Sequence, residues 1–86
     1  MARVLMYTTA ICPYCVSAKR LLAQKGVAVE EIRVDQNPHL REEMMKKSQQ
    51  RTVPQIWIDD YHVGGFTDLL ALDKQGKLNQ LLKSNL

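Results

Sequence analysis

Eighty-six residues with 45% hydrophobic and 24% charged side chains make a chain of ordinary globular composition, long enough for one core, and we expect a single domain over residues 1–86. A net charge of +3 is mild, and its Lys and Arg residues are scattered, so the composition points away from a nucleic-acid partner. No stretch approaches the roughly 20 apolar residues of a membrane span, and the N-terminus reads as leaderless because Thr8-Thr9 ends the apolar run early.

Val4–Tyr7 reads as a short buried strand. Cys12-Pro13-Tyr14-Cys15 follows, opening a helix predicted from about Pro13 to Lys25, with Val16, Ala18, Leu21 and Leu22 as its apolar positions and Gly26 as its stop. Pro13 suits the first helical position, where its fixed φ fits and its missing N–H costs nothing. Cys12 then falls at the cap, where partial positive charge and unpaired N–H groups favour a thiolate, and Cys15 lies one turn inward. The asymmetry assigns Cys12 the attack and Cys15 the resolving step. Zinc is the competing reading of a Cys-x-x-Cys pair, but structural zinc takes four ligands. This chain has two Cys, and its two histidines, His39 and His62, stand apart. A purely structural role is also weak, since so short a disulfide loop constrains the unfolded chain little. A leaderless chain with two cysteines belongs in a reducing cytoplasm, where a disulfide is catalytic rather than structural.

Val27–Val34 is expected to be a second strand, parallel to the first, with its alternation broken at Glu30-Glu31. Asn37-Pro38 starts a helix to about Lys47, in which Glu42/Lys46 and Glu43/Lys47 have the favoured i,i+4 order. Val53–Ile58 is the third strand, Asp59-Asp60 a turn, and Tyr61–Val63 the hairpin partner. Thr67 is expected to cap a further helix through about Gln75, ended by Gly76, and Lys77–Leu86 forms a C-terminal helix with Leu78, Leu81 and Leu82 inward. The order β-α-β-α-β-β-α with a C-terminal helix is that of an α/β thioredoxin-like fold, a four-stranded mixed sheet flanked by helices. In such sheets ligands gather at the carboxyl ends of the parallel strands, where Cys12 lies.

Two segments of the second half carry two readings each. Pro54 in Thr52-Val53-Pro54 is either a simple strand-entry proline or a cis proline that turns the Val53 backbone toward an extended peptide. Gly64-Gly65-Phe66-Thr67-Asp68 is either plain helix capping or an anion site, with Asp68 receiving an ammonium group.

Cys12-Pro13-Tyr14-Cys15, Thr52-Val53-Pro54-Gln55 and Gly64-Gly65-Phe66-Thr67-Asp68 together resemble the glutaredoxins of the small dithiol, Cys-Pro-Tyr-Cys type, across essentially the whole chain. The resemblance implies glutathione as co-substrate, no metal, and a monomer. Its partners would be disulfide-bonded or glutathionylated proteins, with glutathione kept reduced by an NADPH-dependent reductase. It also implies that Val53 pairs its backbone with the cysteinyl part of glutathione, beside Thr52 and Pro54. Gly65, Phe66, Thr67 and Asp68 would hold the γ-glutamyl end, Arg41 the glycyl carboxylate, and Tyr14 would flank the sulfur. Arg51 adds charge near the glycyl end or is simply a solvated loop residue. One departure stands out: Thr9 occupies the position where many glutaredoxins carry a Lys that supports the thiolate. Rival readings are a redoxin reduced by thioredoxin reductase and a glutathione-ligated [2Fe–2S] carrier, the latter disfavoured by the stiff Pro13.

Overall fold

The computed structural model describes residues 2–83, so the part of the expected C-terminal helix beyond Lys83 lies outside the described residues. The elements run β1 (Val4–Thr8), α1 (Pro13–Gln24), β2 (Val29–Arg33), α2 (Pro38–Ser48), β3 (Gln55–Ile58), β4 (Tyr61–Gly64), α3 (Phe66–Lys74) and α4 (Lys77–Leu82). The strands form one mixed sheet in the order β2-β1-β3-β4. β1 and β2 are parallel, and β3 is antiparallel to both β1 and β4. The architecture is the thioredoxin-like one expected from the element order.

Period-two alternation along β1 and β3 divides the core between the two faces of the sheet. Val4 and Met6 join Ile56 and Ile58 under Ala18, Leu22, Leu69 and Leu78, beneath α1, α3 and α4. Tyr7 and Trp57 point to the opposite face, where they meet Val34 and Met44 of α2. Their rings pack edge to face at 5.4 Å. β2 is an edge strand, so its broken alternation is tolerated: Glu30 binds Arg3, and Glu31 binds Lys19 and the Thr8 hydroxyl.

Local chemistry sets the helix ends. Asn37 caps α2 by accepting from the N–H groups of His39 and Leu40, with Pro38 at the first position. Three expectations need correction. Val16 is about half exposed, because the inward face of α1 is Cys15, Ala18 and Leu22. Glu43 and Lys47 both turn to the buried Tyr7 hydroxyl, at 3.0 and 3.3 Å, while Glu42 and Lys46 do form their i,i+4 pair at 3.4 Å. Thr67 is not the cap of α3. The chain enters that helix two residues earlier, with Gly65 at the cap and the Asp68 carboxylate reaching back to its N–H at 2.9 Å.

Candidate functional site

The register places the candidate residues at one end of the sheet. β1 leaves this end at Thr8, opposite Arg33 at the end of parallel β2. Tyr7 faces Gln55, the first residue of β3, and Ile56 faces Gly64, the last of β4. So α1, α2 and α3, which follow β1, β2 and β4, all begin at this end. Three helix N-termini therefore share one edge, a setting that favours negative charge.

Cys12 caps the first of them. Its sulfur accepts from the Cys15 N–H at 3.1 Å, and Pro13 follows at the first helical position. Cys12 and Cys15 form a disulfide with Cα atoms 5.1 Å apart. Cys15 is 2% exposed whereas Cys12 is only partly covered, so an incoming disulfide meets Cys12 first. The preceding loop is pinned rather than charged. Thr9 donates its hydroxyl to the Ile11 carbonyl at 3.4 Å, and the Ala10 N–H bonds Asp35 at 3.2 Å. Asp35 is gripped by Arg33, which, with the Ala10 N–H, holds its pKa down to about 2. Ile11 is 92% exposed immediately before the nucleophile.

One contact ties the later segments to this dithiol, and a second ties those segments to each other. The Tyr14 ring, 62% exposed, stacks on Phe66 at 6.2 Å, linking the first turns of α1 and α3. The Val53–Pro54 bond is cis, and the Pro54 carbonyl lies against Gly65, where an added Cβ would meet it at 3.6 Å. At Gly64, with φ +108°, an added Cβ would fall 2.5 Å from the Asp68 carboxylate, which would have to move aside. Thr67 is exposed beside Asp68. Thr52 is exposed and Val53 half-buried in the loop that enters β3.

Arg41 sits in the first turn of α2, at the same end of the sheet. No hydrogen bond or ion pair joins its side chain to the dithiol, Val53 or Asp68 among the described residues, and the same holds for Arg51, an exposed loop residue. No group of three His, Cys, Asp or Glu stands close enough to hold a metal among the described residues.

Sequence reasoning missed Asp35 as the anchor of the loop before Cys12, and it treated Gln55 and His62 as unremarkable. Gln55 is a fully buried polar residue directly after Pro54, and its side-chain oxygen meets His62 Nε2 at 2.8 Å. The available signal was a Gln in a strand whose other residues are all apolar.

Comparison with known proteins agrees with this geometry. The glutaredoxin family model matches residues 4–63. The chain is 54% identical to glutaredoxin 3 of Escherichia coli K12 over 83 residues, covering 96% of this chain and all of that protein. Among solved structures, a Brucella melitensis glutaredoxin superposes with a TM-score of 0.87 at 49% identity, covering 100% of this chain and 94% of that one. A crystal structure of a buckwheat glutaredoxin–glutathione complex superposes at 0.89 with 27% identity, covering 96% and 78%.

Proposed function

The chain belongs to the glutaredoxin family of thiol oxidoreductases, and on that premise we propose that it reduces protein disulfides and glutathione mixed disulfides with glutathione as electron donor. The observation that carries the reading is the Cys12–Cys15 disulfide at an edge shared by three helix N-termini, with the more accessible sulfur at the cap. A buckwheat relative forms a complex with glutathione, which supports the same ligand here.

In the proposed monothiol route, the Cys12 thiolate attacks the glutathione sulfur of a mixed disulfide. The S–S bond breaks, the other thiol leaves as thiolate and takes a proton, and Cys12 becomes glutathionylated. A second glutathione thiolate attacks that adduct, giving oxidised glutathione and free Cys12. In the dithiol route, Cys12 forms a mixed disulfide with a target protein and the Cys15 thiolate displaces it. The target then leaves reduced and the Cys12–Cys15 bond closes. Two glutathione molecules reopen it, one electron pair passing to the protein and one molecule of oxidised glutathione forming. The helix N-terminus stabilises Cys12 as both nucleophile and leaving group.

The sheet end supplies the matching binding groups. Val53 offers its backbone to the cysteinyl unit, between Thr52 and the cis Pro54. The N–H groups at the start of α3, around Gly65, Phe66 and Thr67, suit the γ-glutamyl carboxylate. Asp68 receives the ammonium, Arg41 reaches for the glycyl carboxylate, and Tyr14 flanks the sulfur. Pro13 keeps the dithiol turn rigid. The protein works as a single-domain monomer in a reducing cytoplasm. No helix among the described residues is long and apolar enough to cross a membrane.

The test is turnover of a mixed disulfide of glutathione and a small thiol, coupled to glutathione reductase and NADPH. Cys12→Ser is expected to be inactive while Cys15→Ser retains activity. A wild type that is silent in this assay yet reduced by thioredoxin reductase would overturn the glutathione reading.

A further inference from the structure

Gln55 is 0% exposed, yet every polar atom of its side chain is engaged. Its amide nitrogen donates to the Thr52 carbonyl and to the Gln50 side-chain oxygen, both at 3.0 Å, with Thr52 Oγ1 at 3.4 Å. Both amide hydrogens are thereby committed, which fixes the atom facing His62 as the acceptor oxygen. His62 must therefore carry its proton on Nε2. The imidazole is itself held flat against Trp57, ring centroids 4.5 Å apart at 27°. A chain of bonds thus runs from β4 through Gln55 to the loop that presents Val53. Ser48 extends it, exchanging hydrogen bonds with the backbone of Gln50 at 3.0 and 3.1 Å.

This loop needs such support. Among the described residues no backbone–backbone hydrogen bond ties residues 50–54 to a neighbouring element. Among the described residues, the buried side chain hydrogen-bonded to this loop at Thr52 is Gln55. Burial excludes Gln55 from direct contact with a ligand in solution, so whatever it contributes to recognition passes through the backbone it holds.

We infer that Gln55 and His62 are positioning residues for substrate: together they fix the Thr52–Val53 backbone in the orientation that a glutathionyl group reads. The inference rests on the glutathione reading above and extends it to residues outside the ligand-facing surface. The pair should govern how well substrate binds rather than how fast sulfur exchanges, because neither residue lies on the path between the thiols.

The test compares wild type, His62→Phe and His62→Gln in steady-state turnover of a glutathione mixed disulfide. The rate of Cys12 alkylation by iodoacetamide across pH is measured in parallel. Phe keeps a ring on Trp57 and removes the donor; Gln restores a donor at about the reach of Nε2. Losing one buried hydrogen bond predicts a KM raised about three- to tenfold in His62→Phe. kcat should stay within about twofold of wild type, and the alkylation profile should be unchanged. His62→Gln should recover most of the KM. An unchanged KM in His62→Phe overturns the inference and leaves the glutathione reading intact. Equal losses in kcat and alkylation overturn it too, since His62 would then act on the thiol. Failure of His62→Gln to recover any of the KM would overturn the assignment of the effect to the Nε2 donor. A wild type without glutathione-dependent turnover would remove both readings together.

Discussion

Replacing Gly64 with Ala probes the joint between the last strand and the helix that carries Asp68. At φ +108° a Cβ is strained in itself, costing on the order of 2 kcal/mol. The same Cβ would stand 2.5 Å from Asp68 Oδ2 and 3.1 Å from its Cγ, so the carboxylate must leave the Gly65 N–H that it now holds at 2.9 Å. Losing that cap costs about 1 kcal/mol. The reduced freedom of the unfolded chain returns roughly 0.5 kcal/mol. The expected net destabilisation is therefore about 2.5 kcal/mol, measured as a lower urea midpoint at unchanged slope. A double-mutant cycle separates the two contributions. Asp68→Ala alone should cost about 1 kcal/mol. In the Gly64→Ala background it should cost almost nothing, because the carboxylate has already been displaced. Function should follow the same logic, with either substitution raising KM for a glutathione mixed disulfide. A Gly64→Ala protein less than about 1 kcal/mol below wild type, or fully additive effects, would refute the close-approach argument.

Three further outcomes follow from charges and caps elsewhere. Burial, aided by the neighbouring Glu43 carboxylate, pushes the Tyr7 phenol up to about 12. The unfolded chain loses this proton first, so stability should fall as pH rises from 10 toward 12, and Tyr7→Phe should flatten that limb in alkaline denaturation curves. Burial lowers the His62 pKa below its ordinary 6.5 despite the opposing charge of Asp68. The unfolded state then binds the proton more readily, and this contribution to stability is lost as pH falls through 6.5 toward the lower folded value. Urea melts at neutral and mildly acidic pH should show a smaller acid loss in His62→Gln than in wild type. Asn37→Ala strips the acceptor from two N–H groups at the start of α2 and should cost about 1 kcal/mol, readable in the same melts.

What the sequence made legible was local chemistry. Pro13 behind Cys12 and Pro38 behind Asn37 mark helix starts through bonds spanning three residues, and both were placed correctly. The dithiol needed no tertiary information for the same reason. The start of α3 was misread because Thr67 has the stronger intrinsic capping preference. The chain instead turns at Gly64, and the acid three residues beyond Gly65 closes the cap. Glu43 and Lys47 had ideal spacing for each other, but a buried hydroxyl 40 residues from Lys47 in sequence outweighed a solvated ion pair. Gln55 and His62 were invisible for a related reason: their value lies in a hairpin register and a loop conformation that no periodicity encodes. Arg41 illustrates the converse: topology brings it to the same end of the sheet as the dithiol, with no side-chain hydrogen bond or ion pair among the described residues to show what it holds.

The division of labour along the chain has an evolutionary consequence. The reactive sulfurs come from residues 12–15, and the surface beside them comes from residues 52–68, two stretches that meet through the Tyr14–Phe66 stack, while the approach of Gly65 to Pro54 holds the later stretch together. On the proposed reading, drift in the later stretch would retarget the protein to a different thiol cargo while the earlier one went on exchanging sulfur as before. Selection on specificity and selection on reactivity thus act on separate exons of chemistry within 86 residues, joined at a seam two side chains wide.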